Sequence, residues 1–419
     1  MHRGVSINLG NLILSLSDAM DLASPFLVQH QQRTAYIVWE MCKLARLSDK
    51  RLENSFIAAL LHDIGAFSLE EKIALHNYEV RDKEEHCIRG EILLERIPWL
   101  REPARIMRFH HMDWQDWTEP IETPLALESQ MLHIADYLER RIDRSVYILH
   151  QNEGILADII EHRGSYFHPD VVDLLLTVSG SEEFWLDLMS PRLYSLLLHE
   201  GPYRKLDMGI EELIRISELF RSIIDFRSRF TATHSSGVAA AASILSRIFG
   251  LTEMEIRLME VAGNLHDLGK LVIPNGILDK PGKLDREEMA IMKSHTYFTY
   301  SVLNTIGGFR EIAEWAAYHH EKLDGSGYPF HCKAGELSTG ARIMMAADIF
   351  TALAEDRPYR KGMSENGIIQ IMKQFQDRKL LDPRIISLLF DNYSEISSHV
   401  SGKQAEVREF YENQFAFLK

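Results

Sequence analysis

The chain has 419 residues, 46% of them hydrophobic, with 61 Asp and Glu against 46 Lys and Arg for a formal net charge of −15. This acidity excludes broad, sequence-independent binding to a nucleic-acid polymer, which needs a basic face to displace counterions, and the length asks for two cores, because one core rarely serves beyond about 250–300 residues. No stretch approaches the ~18 uninterrupted apolar residues of a membrane span, since the nearest, Val238 to Leu251, is broken by Ser243, Ser246 and Arg247; a soluble protein with no membrane partner is expected.

The first element spans Leu9 to Leu22. Asn11 and Asp18 interrupt its apolar run and no small-residue cleavage site follows, so it reads as a helix rather than a secretory leader. Cys42, Cys87 and Cys332 are scattered and form no CxxC pair. Neither a disulfide framework nor a zinc knuckle follows, and a reducing cytoplasm is the expected setting. Gly201-Pro202 breaks the helical pattern, and a new helix is expected from about Gly209. There Leu213, Ile216, Leu219, Phe220, Ile223 and Ile224 recur at three- and four-residue spacing. Glycine and proline clusters at Ile273-Pro274-Asn275-Gly276, Lys280-Pro281-Gly282 and Gly325 to Pro329 predict loops. With little period-two alternation, the fold class is all-α.

The chain also repeats itself. A shift of 204 residues puts Asp21 on Asp225, Ser24 on Ser228, Phe26 on Phe230, His30 on His234, Leu61-His62-Asp63 on Leu265-His266-Asp267, and Gly65 on Gly269. A shift of 209 puts His86, His110 and His111 on His295, His319 and His320, and one of 212 puts Ala135-Asp136 on Ala347-Asp348. Two small loop insertions account for the changes. A period of about two hundred residues is too long for a solenoid and marks a duplicated domain. Tandem helical bundles are expected over residues 1–203 and 204–419, with the break near His199 to Met208.

His234, His266, Asp267, His295, His319, His320 and Asp348 are candidate metal ligands that only a folded bundle can bring together. Imidazole with carboxylate suits Fe, Mn, Zn or Ni, and adjacent His-Asp lets one carboxylate bridge two ions. Two ions about 3.5–4 Å apart activate a water and stabilise charge on a phosphoryl group. The chemistry indicated is phosphoester hydrolysis.

His266-Asp267-Leu268-Gly269-Lys270, followed by His319-His320-Glu321-Lys322-Leu323-Asp324-Gly325-Ser326-Gly327-Tyr328-Pro329, resembles the HD-GYP family, and the second run matches the signature HHExxDGxGYP at every defined position. The resemblance covers roughly residues 210–400 and extends to Ala347-Asp348 and Arg357-Pro358-Tyr359-Arg360. It implies an HD-type helical bundle with two or three divalent metal ions, Fe or Mn first, with Ni, Zn and Mg also open. It implies a bacterial second-messenger enzyme in which metal-activated water opens a cyclic dinucleotide, cyclic di-GMP or 3′,3′-cyclic GMP-AMP, to the linear form. By the same resemblance Asp267 and Lys270 serve the chemistry, Lys270 contacts the scissile phosphate, Arg357 and Arg360 hold phosphate oxygens, and Gly327, Tyr328 and Pro329 border the cleft. Three-metal members carry a glutamate four residues before the first histidine; Phe230 stands there, so two metals are expected.

The first copy retains His30, His62, Asp63, His86, His110, His111 and Asp136 as a second candidate metal site. Ala66 replaces the lysine, and Met112 to Trp117 replaces the Gly-Tyr-Pro loop. A regulatory or dimerising role is expected for it rather than a second activity. Cys87 and Cys332 read as small hydrophobes, His76, His133 and His168 match no repeat position, and Phe298, Tyr300, Trp315 and Tyr318 read as core rather than base-stacking residues. A non-catalytic cyclic dinucleotide sensor and another HD-type nucleotide phosphohydrolase are the competing functions; the complete second-copy signature argues against both. A homodimer, and protein partners at the first domain or the Gly-Tyr-Pro loop, stay open.

Overall fold

The computed structural model describes residues 9–21, 27–77, 84–203, 209–226, 233–355 and 361–414. Among them the expected all-α fold forms: there is no β-strand, only isolated bridges between Arg163 and Phe167 and between Asp324 and Lys333. The chain divides into two compact units, Asn8–Leu206 and Asp207–Lys419.

In the first unit the helix expected from Leu9 runs Leu9–Asp21 and buries Leu12, Ile13, Leu14 and Leu16. The His30–Leu44 helix packs against Asp49–Leu60 and Pro124–Arg140, and Glu84–Leu94 packs against Arg101–Arg108. Pro124 and Pro169 each open a helix, where the missing N–H costs nothing and the fixed φ suits the first turn.

The second unit is built around the His234–Phe249 helix, which packs against Glu253–Leu265, Thr339–Ala354 and Tyr393–Gln414. Capping boxes start two of its helices, Thr252 with Glu255 and Asp285 with Glu288, each satisfying two otherwise orphaned N–H groups. The loop expected at Ile273 to Gly276 instead gives way to a short helix, Asn275–Leu278, after Pro274. The nineteen-residue helix Arg286–Asn304 has no buried residue before His295; beyond that point it lies against the Leu268–Val272 turn and the Arg310–Ala317 helix.

Gly65 and Gly269 occupy matching positions because both units need the same close approach. A Cβ on Gly65 would collide with the His86 carbonyl, and one on Gly269 with the His295 carbonyl. Only glycine lets the His-Asp turn press flat against the next histidine-bearing helix.

Candidate metal centre

The seven candidate ligands of the second unit come from five places in its bundle. His234 opens the His234–Phe249 helix, His266 and Asp267 end Glu253–Leu265, and His295 sits midway along Arg286–Asn304. His319 and His320 form the tight turn after Arg310–Ala317, and Asp348 lies on Thr339–Ala354. The fold brings all seven together. His234 Nε2 is 3.3 Å from Asp348 Oδ1, and His320 Nδ1 is 3.7 Å from Asp348 Oδ2. Asp267 faces two ways: Oδ2 lies 3.2 Å from His266 Nε2, while Oδ1 lies 3.5 Å from His295 Nε2 and 3.9 Å from His319 Nε2. Lys270 Nζ reaches Asp267 Oδ2 at 2.6 Å.

The hydrogen bonds behind these rings decide what they offer. The Nδ1 atoms of His266, His295 and His319 donate to the carbonyls of Gly263, Met292 and Ala316 at 2.8, 2.6 and 2.6 Å. With the proton fixed on Nδ1, each Nε2 carries a lone pair. Those of His295 and His319 oppose each other at 3.3 Å, and His266 Nε2 is buried without a hydrogen-bond partner. Burial pushes His295 down to about 4 and His320 to about 3, so both rings stay neutral. Burial alone would raise Asp267 and Asp348, yet neighbouring histidines and, for Asp267, Lys270 hold both well below the usual carboxylate range. Opposed lone pairs beside ionised, buried carboxylates are costly without a cation between them. The donor set fits divalent metal ions.

Glu321, next after the histidine pair, is fully buried and holds the adjoining loop. Its Oε1 accepts from the N–H groups of Phe330 at 2.8 Å and His331 at 3.2 Å, and its Oε2 accepts from Cys332 at 3.1 Å. This brings the Tyr328 ring within 4.9 Å of the His320 ring, with Lys293 Nζ 5.1 Å from the Tyr328 ring centre. Arg357, Arg360 and Phe230 lie outside the described residues.

The seven candidates of the first unit also converge. His30 Nε2 is 3.1 Å from His62 Nε2, 3.6 Å from Asp63 Oδ2 and 3.4 Å from Asp136 Oδ1. His86 Nε2 is 3.6 Å from Asp63 Oδ1 and 3.4 Å from His110 Nε2, and His111 Nδ1 is 3.9 Å from Asp136 Oδ2. Two differences stand out. Arg140 Nη2 sits on Asp136 Oδ2 at 2.8 Å, and the His111 side chain is 5% exposed where His320 is 32% exposed. The Met112–Trp117 segment folds back here, with its Met112 carbonyl accepting from Gln130 and Trp117 side chains.

Several contributors were not singled out from sequence. Glu139 pairs with His30 Nδ1, Glu355 Oε2 lies 3.1 Å from His234 Nδ1, and Glu321 grips the loop. For Glu139 the available signal was its place one helical turn after Asp136, on the same face. Cys87, set aside as a small hydrophobe, has its Sγ 3.6 Å from His86 Nε2. His76 packs edge-on to His30 with ring centres 5.6 Å apart. Of the aromatics read as core, Trp315 is buried, whereas Phe298, Tyr300 and Tyr318 are half-buried.

A paired histidine-aspartate cluster on an all-helical bundle, present twice, defines the HD class of metal-binding phosphohydrolase folds. The HD domain family matches residues 15–171 and 218–385; the chain belongs to this family and, by its HHExxDGxGYP run, to the HD-GYP branch. It is 28% identical over 397 residues to 3′3′-cGAMP-specific phosphodiesterase 1 of Vibrio cholerae, covering 92% of each chain. It is 34% identical over 183 residues to the cyclic di-GMP phosphodiesterase response regulator RpfG of Xanthomonas campestris pv. campestris, covering 43% of this chain and 48% of that one. The crystal structure of a cyclic GMP-AMP specific phosphodiesterase of Vibrio cholerae, V-cGAP3, shares the fold with a TM-score of 0.65 at 23% identity, over 93% of this chain and 98% of that one.

Proposed function

We propose that the second unit hydrolyses a phosphodiester bond of a cyclic dinucleotide, 3′,3′-cyclic GMP-AMP or cyclic di-GMP, releasing the linear dinucleotide. The observation that carries this reading is the convergence of the His266, His295 and His319 lone pairs on Asp267 and of His234 and His320 on Asp348, beside Lys270 and the Tyr328 loop. The names of the relatives supply the substrate class.

In this reading His234, His266, Asp267 and Asp348 hold one divalent ion and Asp267, His295, His319 and His320 the other, Fe or Mn being the first choice. Bound ions supply an activated water and stabilise charge on the phosphoryl group. Asp267 joins the two subsites through its two oxygens. Lys270 meets a phosphate oxygen, Arg357 and Arg360 clamp others with planar guanidinium groups, and the Tyr328 ring walls the cleft.

The first unit offers a second candidate metal site but does not turn over a cyclic dinucleotide: it lacks the lysine and the Gly-Tyr-Pro loop, and its His111 is more deeply covered than His320. It serves regulation or dimerisation. Cys42, Cys87 and Cys332 form no disulfide with one another, which supports a reducing, cytoplasmic setting. No helix among the described residues is long and apolar enough to cross a membrane.

The test is hydrolysis of both cyclic dinucleotides with Mn(II) or anaerobic Fe(II). Wild type and His62→Ala/Asp63→Ala turn over, whereas His266→Ala/Asp267→Ala does not. Binding without turnover under every metal condition refutes the enzyme reading and leaves a receptor.

A further inference from the structure

The two units solve one problem with residues that do not correspond. Each needs a carboxylate on Nδ1 of its first histidine, so that Nε2 points into the cluster. In the first unit that carboxylate is Glu139, which pairs with His30 Nδ1 and is itself held by Arg33 at 3.2 Å and Arg144 at 2.9 Å. The repeat puts Glu139 on Thr351 and Arg33 on Gly237. Neither second-unit residue can reproduce the pair. Thr351 is fully buried, its Oγ1 has no hydrogen-bond partner, and its Cγ2 lies where a side chain on Gly237 would begin.

The carboxylate arrives instead from one helical turn further along. Glu355 Oε2 is 3.1 Å from His234 Nδ1, and its Oε1 accepts from Thr233 Oγ1 at 3.1 Å. The first-unit counterpart of Glu355 is Asp143, an exposed residue whose carboxylate accepts from the N–H and hydroxyl of Ser145. Thus the ring contact is kept while both partners of the original pair are gone.

We infer that Glu355 is the positioning residue of the second-unit centre, replacing the Thr351 position by holding His234 Nδ1 so that Nε2 faces Asp348. It acts through His234 and not on the reacting phosphate. Carboxylates behind a ligating imidazole fix its tautomer and raise its basicity, and losing one costs about 10–100-fold in metal affinity. The inference rests on the metal-centre reading above.

The test is Mn(II) affinity, by equilibrium dialysis with elemental analysis and by Mn(II) electron paramagnetic resonance, on the full chain. In the His62→Ala/Asp63→Ala background, which leaves only the second-unit site, Glu355→Ala weakens Mn(II) binding about 10–100-fold, and Glu355→Gln, whose amide oxygen still accepts from His234 Nδ1, keeps most of the affinity. The metal-free melting temperatures of the variants report folding separately. Unchanged Mn(II) affinity in Glu355→Ala overturns the inference, and so does a loss in Glu355→Gln as large as that in Glu355→Ala in a folded protein. A wild-type chain that takes up no Mn(II) or Fe(II) overturns the metal reading itself.

Discussion

Replacing Glu321 with glutamine is the sharpest probe of how the loop beside the metal cluster is held. The wild-type carboxylate accepts three backbone N–H groups, two on Oε1 and one on Oε2. Glutamine keeps one acceptor oxygen but turns an NH₂ donor toward the Cys332 N–H, so at least one charge-assisted bond, about 1.5–3 kcal/mol, is lost. At about 1.4 kcal/mol per decade, hydrogen exchange of the Cys332 amide accelerates about 10–100-fold, provided that it exchanges by local opening. Phe330 and His331, whose acceptor survives as a neutral oxygen, change less. Exchange mass spectrometry resolves this segment, and metal content measured alongside shows whether the cluster itself is intact. Equal exchange at Cys332 in the two proteins would refute the argument that Glu321 fastens the loop.

Gly269→Ala drives a Cβ into the His295 carbonyl, so the His295 helix has to shift; the variant melts lower and loses second-unit metal, whereas Gly65→Ala spares that metal, which elemental analysis of both will check. Lys270→Met keeps the stem but removes the ammonium, so kcat/KM falls about 10²-fold or more while metal is retained; loss of metal instead would mark Lys270 as structural. Asp225 accepts from Ser235 Oγ at 2.6 Å, and burial pushes its carboxyl up from 3.8 to about 7. The folded chain therefore keeps a proton that the unfolded chain releases, and stability falls as pH rises from about 4 to about 7. Urea unfolding of the metal-free protein follows this: Asp225→Asn is more stable than wild type at pH 8, by at most about 4 kcal/mol, and the difference fades below about pH 4.

Much of the architecture was legible because helical periodicity and ordered histidines survive as local pattern. The doubling of the His-Asp runs pointed to two bundles, and the seven second-unit candidates do converge. The supporting carboxylates were not legible, for a geometric reason. A ligand must project toward one point, which ties it to its helix position, but a carboxylate behind a ring can reach Nδ1 from either of two successive turns. Glu139 and Glu355 do so, and overlaying the repeats hides the equivalence. Glu321 was visible as a letter of the loop signature, yet nothing in that signature says that its oxygens face backbone N–H groups nine to eleven residues on. The short Asn275–Leu278 helix was missed because its Pro-Asn-Gly start reads equally well as a turn.

The ion pair between Lys270 and Asp267 sets a positive charge against the buried carboxylate of the second unit. Lys270 Nζ rests 2.6 Å from the same Asp267 oxygen that faces His266. The ammonium is a counter-charge that makes this buried carboxylate tolerable. If His266 and Asp267 held a divalent ion, as proposed above, the ion would share that task, and the lysine's charge would then be available to a phosphate oxygen.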